Sequence, residues 1–137
     1  VRILLVEDEE RIIRFVIRGL QAESHDVMVA QTKNQWVPMA TVQSYDLIIV
    51  DACVGKNEGV NICKILRQQR VFTPILLFTA PQQEKLQEGG TPICAMDHLS
   101  KPFGFEELLE KIRFLTSSGS MLVGRGINKN FEEPADS

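Results

Sequence analysis

Four short places in this chain could do chemistry together: Glu7-Asp8, Asp51, Thr79 and Lys101. Each follows a strand candidate: the apolar runs "RILLV", "LIIV" and "ILLF" precede Glu7, Asp51 and Thr79, and a short fifth candidate within "ICAMDHL" precedes Lys101. Asp51 raises the sharpest question, because burying an unpaired carboxylate is costly and so apolar a run has little structural need of one. Three carboxylates crowded together repel, and a hard divalent cation with oxygen ligands relieves that, Mg²⁺ being the natural choice. Mg²⁺ keeps several waters and takes few protein ligands, which leaves room for a phosphoryl oxygen. Lys101 adds a point charge for a carboxylate or a phosphate. The Thr79 hydroxyl can donate to an oxygen that arrives later. Asp51 then has two available jobs, metal ligand and nucleophile, since carboxylates form aspartyl phosphates.

Such convergence requires a particular scaffold, and the patterning supplies it. Strands are expected at 2–6, 26–30, 46–50 and 74–78, with a short fifth inside 93–99. Between them lie helical patterns. Over 10–22, Ile12, Phe15, Val16, Gly19 and Leu20 recur at helical spacing. The stretch 33–43 is a weaker helix in which Pro38 predicts a late start or a kink. Residues 58–69 turn Ile62, Ile65 and Leu66 inward, and Cys63 reads as core. A helix over 82–88 is stopped early by Gly89-Gly90-Thr91-Pro92, and Phe105, Leu108, Leu109, Ile112 and Leu115 mark the last helix. Strand-helix alternation five times over predicts an α/β fold with a parallel sheet covered on both faces. In such sheets the strand ends that carry these four places share one edge, where ligands bind. Helical periodicity stops near Ser117, so 1–117 reads as one domain and 118–137 as a tail or the start of a linker.

Composition is that of an ordinary globular domain, with 44% apolar and 24% charged residues among 137. A net charge of −3 gives no field for nucleic acid. No apolar run approaches the roughly 18 residues of a membrane span, and "VRILLVEDEE" turns acidic too early for a signal peptide. Three cysteines, 53, 63 and 94, form no CxxC pair and read as reduced thiols of a cytoplasmic protein.

Taken singly, each site residue has a plain structural role. Glu9 and Glu10 suit a helix N-terminus, Thr79 a strand end, and Lys101 a solvated surface. The signal is the ordered combination, and with it the chain resembles the receiver domain of two-component response regulators over about residues 2–116. "ILLVEDE" is similar to the opening strand and acidic pair, "YDLIIVD" to the phosphoacceptor strand, "ILLFTA" to the switch-threonine strand, and "LSKPF" to a lysine loop that usually has a cis Lys-Pro bond. Thr79 to Lys101 also keeps the family spacing. The resemblance implies a doubly wound, flavodoxin-like (CheY-like) (βα)5 fold of strand order 2-1-3-4-5. It implies that Asp51 accepts phosphate from a histidine kinase or phosphotransfer protein. Asp8, Asp51 and the Cys53 backbone carbonyl would bind Mg²⁺ directly, with Glu7 acting through water. Thr79 would contact the phosphoryl group and Lys101 would bridge it. Implied partners are that kinase, an effector domain or downstream target, and in one arrangement a second copy; neither nucleic acid nor membrane is expected to bind this segment. The "FEELLEKIRFL" helix looks most like those of transcription regulators.

Three departures carry expectations of their own. The usual switch aromatic three before Lys101 is His98, which is either an altered switch or an ordinary partly exposed histidine. "EGGTPICAMD" interrupts the usual fourth helix, predicting a short or irregular one. Cys53 and Pro81 stand where the family tunes phosphate lifetime, and neither positions a water, so self-dephosphorylation should be slow. A haloacid-dehalogenase-like phosphatase would need a second Asp where Cys53 stands. "VGK" lacks the rest of a P-loop, and "VGRGIN" is a weak dinucleotide signal. The other open reading is a receiver-like module that binds partners without phosphorylation, so no enzymatic turnover is expected beyond the domain's own phosphotransfer and dephosphorylation.

Overall fold

The computed structural model describes residues 1–80 and 92–117. Five parallel strands form one sheet: β1 (Arg2–Val6), β2 (Asp26–Ala30), β3 (Leu47–Asp51), β4 (Ile75–Thr79) and β5 (Asp97–Ser100). Their spatial order is 2-1-3-4-5, as the resemblance implied. The helices are α1 (Glu10–Ala22), α2 (Lys33–Val42), a single turn α3 (Val54–Asn57), α4 (Gly59–Gln68) and α5 (Phe105–Thr116).

Strand side chains alternate between faces, and that alternation divides the core in two. Ile3, Leu5, Leu47, Ile49, Leu76, Phe78 and Leu99 pack beneath α1 and α5, against Val16, Leu20, Leu108 and Ile112. Leu4, Val6, Ile48, Val50, Ile75 and Leu77 pack beneath α2 and α4, against Trp36, Ala40, Ile62, Cys63 and Leu66. The central strands β3 and β4 are buried at every position, as a parallel sheet covered on both sides requires. Each fully buried Leu or Ile contributes roughly 1.5–3 kcal/mol, so the two layers supply the main stabilising term.

Several local expectations need correction. α1 buries Ile13, Val16 and Leu20, a stripe rotated from the predicted one, and Phe15 is 42% exposed. Phe15 instead meets the rings of Phe103 and Phe105 at 6.2 and 6.0 Å, so aromatic contacts at the α1–α5 seam hold it at the surface. Of the late start or kink expected from Pro38, the late start is not seen: α2 begins at Lys33 with Pro38 inside it. Gln35 Oε1 takes the Gln31 and Thr32 N–H groups at 2.7 and 3.3 Å, and this satisfies donors at the helix start. The short fifth strand expected inside 93–99 begins at Asp97 and ends one residue later than expected, at Ser100, while Pro92 to Met96 form a turn with Ala95 N–H bonded to Pro92 O. The helix expected over 82–88, its shortening, Pro81 and the tail 118–137 lie outside the described residues.

Candidate functional site

Register and alternation together deliver the site. Val6 lies opposite Val50 in the β1–β3 ladder, so the next residues, Glu7 and Asp51, are neighbours where the strand order reverses. Both follow the parity of Leu5 and Ile49, which places them on the α1/α5 side. Lys101 shares that parity through Leu99, and its N–H extends the β4–β5 ladder by bonding Thr79 O at 2.7 Å. The Lys101–Pro102 peptide is cis.

The resulting contacts are close. Lys101 Nζ stands 3.1 Å from Asp51 Oδ1 and 3.8 Å from Glu7 Oε1. Carboxylate oxygens of Glu7, Asp8 and Asp51 lie within 4.8 Å of one another. Glu7 is 0% exposed and Asp51 2%, whereas Asp8 is exposed. Main-chain donors hold each acid. Cys53 N–H donates to Asp51 Oδ1 at 3.1 Å, Gly55 N–H to Asp8 Oδ2 at 3.0 Å, and Glu9 N–H to Glu7 Oε2 at 3.2 Å.

Two buried polar atoms in this region lack a hydrogen-bond partner, Glu7 Oε1 and Thr79 Oγ1. Burial, then the hydrogen bond and charge of Asp51, push the Glu7 carboxyl up to about 8 against the opposing pull of Lys101 and the Glu9 N–H. Burial alone would lower Lys101, but the facing Glu7 and Asp51 carboxylates outweigh it and raise its pKa. The Cys53 thiol is pushed up by burial and then by the Asp51 charge, which keeps it neutral.

Thus the predicted residues Glu7, Asp8, Asp51 and Lys101 are brought together, with the Cys53 main chain against Asp51. Thr79 belongs to the same edge but follows the parity of Leu77 and so faces the α2/α4 side. His98 pairs with Leu77 across the β4–β5 ladder and is partly buried, two positions from the Thr79–Ser100 pair and on the same face as Thr79. Two glycines follow Asp51 in what the sequence presents as a loop, and their roles were not legible there. Gly55, at φ +64°, turns its N–H to Asp8. Gly59 opens α4 so close to β3 that an added Cβ would overlap Asp51 O and Ala52 Cα. Its position eight residues beyond Asp51, at the head of a helical pattern, was the available signal.

A family model described as the response regulator receiver domain matches residues 3–113. The chain belongs to that family. Receiver domains are phosphoacceptor signalling domains of two-component systems. The alkaline phosphatase synthesis transcriptional regulatory protein PhoP of Bacillus subtilis is 30% identical over 96% of this chain and 55% of its own length. Response regulator ArlR of Staphylococcus saprophyticus is 36% identical over 82% of this chain and 50% of its own. The chain therefore spans about half the length of the curated relatives it matches. Among solved structures, response regulator TrrA of Thermotoga maritima, in complex with Mg²⁺ and BeF, superposes with a TM-score of 0.72 at 26% identity. That match covers 83% of this chain and 97% of the other. In this receiver domain no helix among the described residues is long and apolar enough to cross a membrane.

Proposed function

We propose that Asp51 is the phosphoacceptor of this receiver domain, charged by a histidine kinase or phosphotransfer protein. The observation that carries the reading is the ammonium of Lys101 at 3.1 Å from Asp51 Oδ1, in a crevice with two further carboxylates within 4.8 Å. The donor set fits a hard divalent cation. Glu7 Oε1 is buried with no hydrogen-bond donor, and the three acids offer only oxygen ligands. Asp8, Asp51 and the Cys53 carbonyl would hold Mg²⁺ directly, with Glu7 acting through water. When bound, the ion supplies charge neutralisation for a phosphoryl group in transit.

The chain's own residues do the rest. A carboxylate oxygen of Asp51 attacks phosphorus of the phosphohistidine, the new O–P bond forms, the P–N bond breaks, and the imidazole leaves with a proton from water. Cys53 N–H and Lys101 hold the attacking carboxylate in place, and burial to 2% exposure restricts its rotation. Lys101 then pairs with the new phosphoryl oxygens as a point charge. The unpaired Thr79 hydroxyl has a donor to spend on a phosphoryl oxygen, and such a bond would favour its movement toward Asp51. His98, on the same face of the adjacent strand, is the residue through which that movement would reach β5. Cys53 stays a neutral thiol with no carboxylate or amide to orient water, so phosphoryl loss should be slow. The names of the matched relatives support transcription regulation as the output of the longer protein.

The test is incubation of the full chain with acetyl phosphate and Mg²⁺, read by intact mass. The wild type should gain one phosphoryl group, while Asp51→Asn and a chelator-treated sample should not. No adduct in the wild type, or an equal adduct on Asp51→Asn, would overturn the assignment, and the former would favour a phosphorylation-independent interaction module.

A further inference from the structure

Away from the acidic crevice, two cysteines meet in the core beneath α4. Cys63 projects inward from that helix, and Cys94 is buried in the turn that enters β5. Neighbours of Cys63 on α4 hold Cys94 at two points. Its sulfur lies 3.9 Å from Val60 O, three residues before Cys63. Its carbonyl accepts from Arg67 Nε at 2.9 Å, four residues after Cys63. Positions i−3 and i+4 flank Cys63 on one helix face, so the two thiols are set against each other in one core cluster. Arg67 is fixed in turn, because Nη1 donates to Val71 O and Thr73 O at 2.8 Å each.

We propose that Cys63 and Cys94 form a redox-active pair that closes to a disulfide on reaction with a hydroperoxide. Cys94 is the attacking sulfur, because it lies in the turn beside exposed Ile93 whereas Cys63 is wholly enclosed on α4, and it reacts as its thiolate. The hydrogen bond donated by Cys63 outweighs burial, and with help from the Arg67 charge it lowers the Cys94 thiol to about 6. Cys63, the donor, is pushed up and stays a thiol. In the first step the Cys94 thiolate attacks the peroxide, its S–O bond forms, the O–O bond breaks, and the alkoxide leaves as an alcohol after taking a proton. Cys94 is then a sulfenic acid, oxidised by two electrons that reduced the peroxide. In the second step the Cys63 sulfur attacks that sulfur, the S–S bond forms, the S–O bond breaks, and water leaves with the Cys63 proton.

Access is available through the turn itself. Ile93 beside Cys94 is fully exposed, and among the described residues Pro92 to Met96 are held by the Ala95–Pro92 turn bond, by Met96 N–H to Ile75 O, and by the two Cys94 contacts to α4. Reaction with the peroxide would require the turn to release the Cys94 contacts to Arg67 and Val60. The disulfide would staple to α4 the segment that leads into His98 and Lys101. The third cysteine, Cys53, sits at the acidic crevice with a raised pKa and takes no part.

The experiment treats the fully reduced full chain with a stoichiometric amount of hydrogen peroxide at neutral pH. Remaining thiols are then alkylated, and intact mass and peptide maps are read without reductant. The expected result is loss of two hydrogens per chain, one cross-linked Cys63–Cys94 peptide pair, an alkylated Cys53, and full reversal by dithiothreitol. Cys63→Ser, which keeps a donor beside Cys94 but cannot form the bond, should instead leave a dimedone-reactive sulfenic acid at Cys94, whereas Cys53→Ser should behave as wild type. Three alkylated cysteines after treatment, a bond to Cys53, or a bond formed only between chains or only in urea would overturn the proposal. None of these readouts depends on phosphorylation of Asp51.

Discussion

Replacing Glu7 by glutamine tests the electrostatics of the crevice most directly. Glu7 is fully buried, one of its oxygens has no hydrogen bond, and its carboxyl is raised from an ordinary 4.5 to about 8. Burial is the main cause, followed by the hydrogen bond and charge of Asp51. An acid whose folded-state pKa is raised holds its proton more tightly when folded than when unfolded. Between about 4.5 and about 8 the folded state therefore binds more protons, and stability falls as pH rises. At about 1.4 kcal/mol per pH unit, the whole interval corresponds to at most about 5 kcal/mol, and relaxation around the site makes a few kcal/mol the working figure. The amide of Glu7→Gln has no carboxyl proton to lose and keeps the same shape. In the presence of a chelator the variant should match the wild type near pH 5 and exceed it by a few kcal/mol near pH 8.5.

The chain has a single tryptophan, Trp36, and it is buried, so its fluorescence in urea titrations reports unfolding. Other titrating groups, such as His25, whose pKa is lowered by its own burial, are common to both proteins and cancel in the difference. Mg²⁺ should reverse the ranking at high pH, because a cation that binds only the folded state stabilises it by mass action and the amide offers it one charge fewer. Parallel stability curves across that pH range would refute the reasoning, since Glu7 would then carry no unusual protonation cost.

Two further outcomes follow from the same geometry. Thr79→Val keeps the shape and removes a buried hydroxyl that has no partner. Stability in urea should be unchanged or rise by about 1 kcal/mol, while any phosphorylation-dependent change in structure, followed by amide NMR shifts, should be lost. Gly59→Ala would force a methyl onto Asp51 O and Ala52 Cα, both main-chain atoms unable to rotate aside. A loss of about 1–3 kcal/mol in urea, together with slower uptake from acetyl phosphate, is expected, and wild-type values for both would refute the role given to Gly59.

How far the sequence revealed this structure depended on whether local pattern or tertiary contact decided each element. The runs at 2–6 and 26–30 coincide with β1 and β2, because continuous apolar stretches bounded by polar residues have few other solutions. The same logic found the acidic edge, since parallel strands must present their ends together once the alternation with helices is accepted. Pattern failed where a distant partner decided. The pattern located a short strand within 93–99 but not its start, which is set where Arg67 takes the Cys94 carbonyl and the Cys94 sulfur packs beneath α4. Phe15 has the spacing of a core residue, yet the rings of Phe103 and Phe105, far along the chain, hold it at the surface. The segment after Asp51 reads as loop, yet Val54–Asn57 makes a helical turn that Gly55 breaks with positive φ, and that break turns its N–H to Asp8.

The two orphaned atoms bear on what the crevice is for, because their needs differ. A buried carboxylate oxygen without a donor lacks positive charge, and Lys101, 3.8 Å away, supplies only part of it. A buried hydroxyl without a partner can donate, and so can take an added anionic oxygen. No single simple ligand answers both. A cation alone leaves the hydroxyl idle, and an anion alone adds negative charge beside Asp8 and Asp51. A cation together with an oxyanion would answer both, the acids holding the cation and Lys101 and the Thr79 hydroxyl being available to the oxyanion. An Asp51 acyl phosphate beside Mg²⁺ has that composition. The free domain is then under-satisfied on both counts, and the stability lost at Glu7 is what a bound cation would restore.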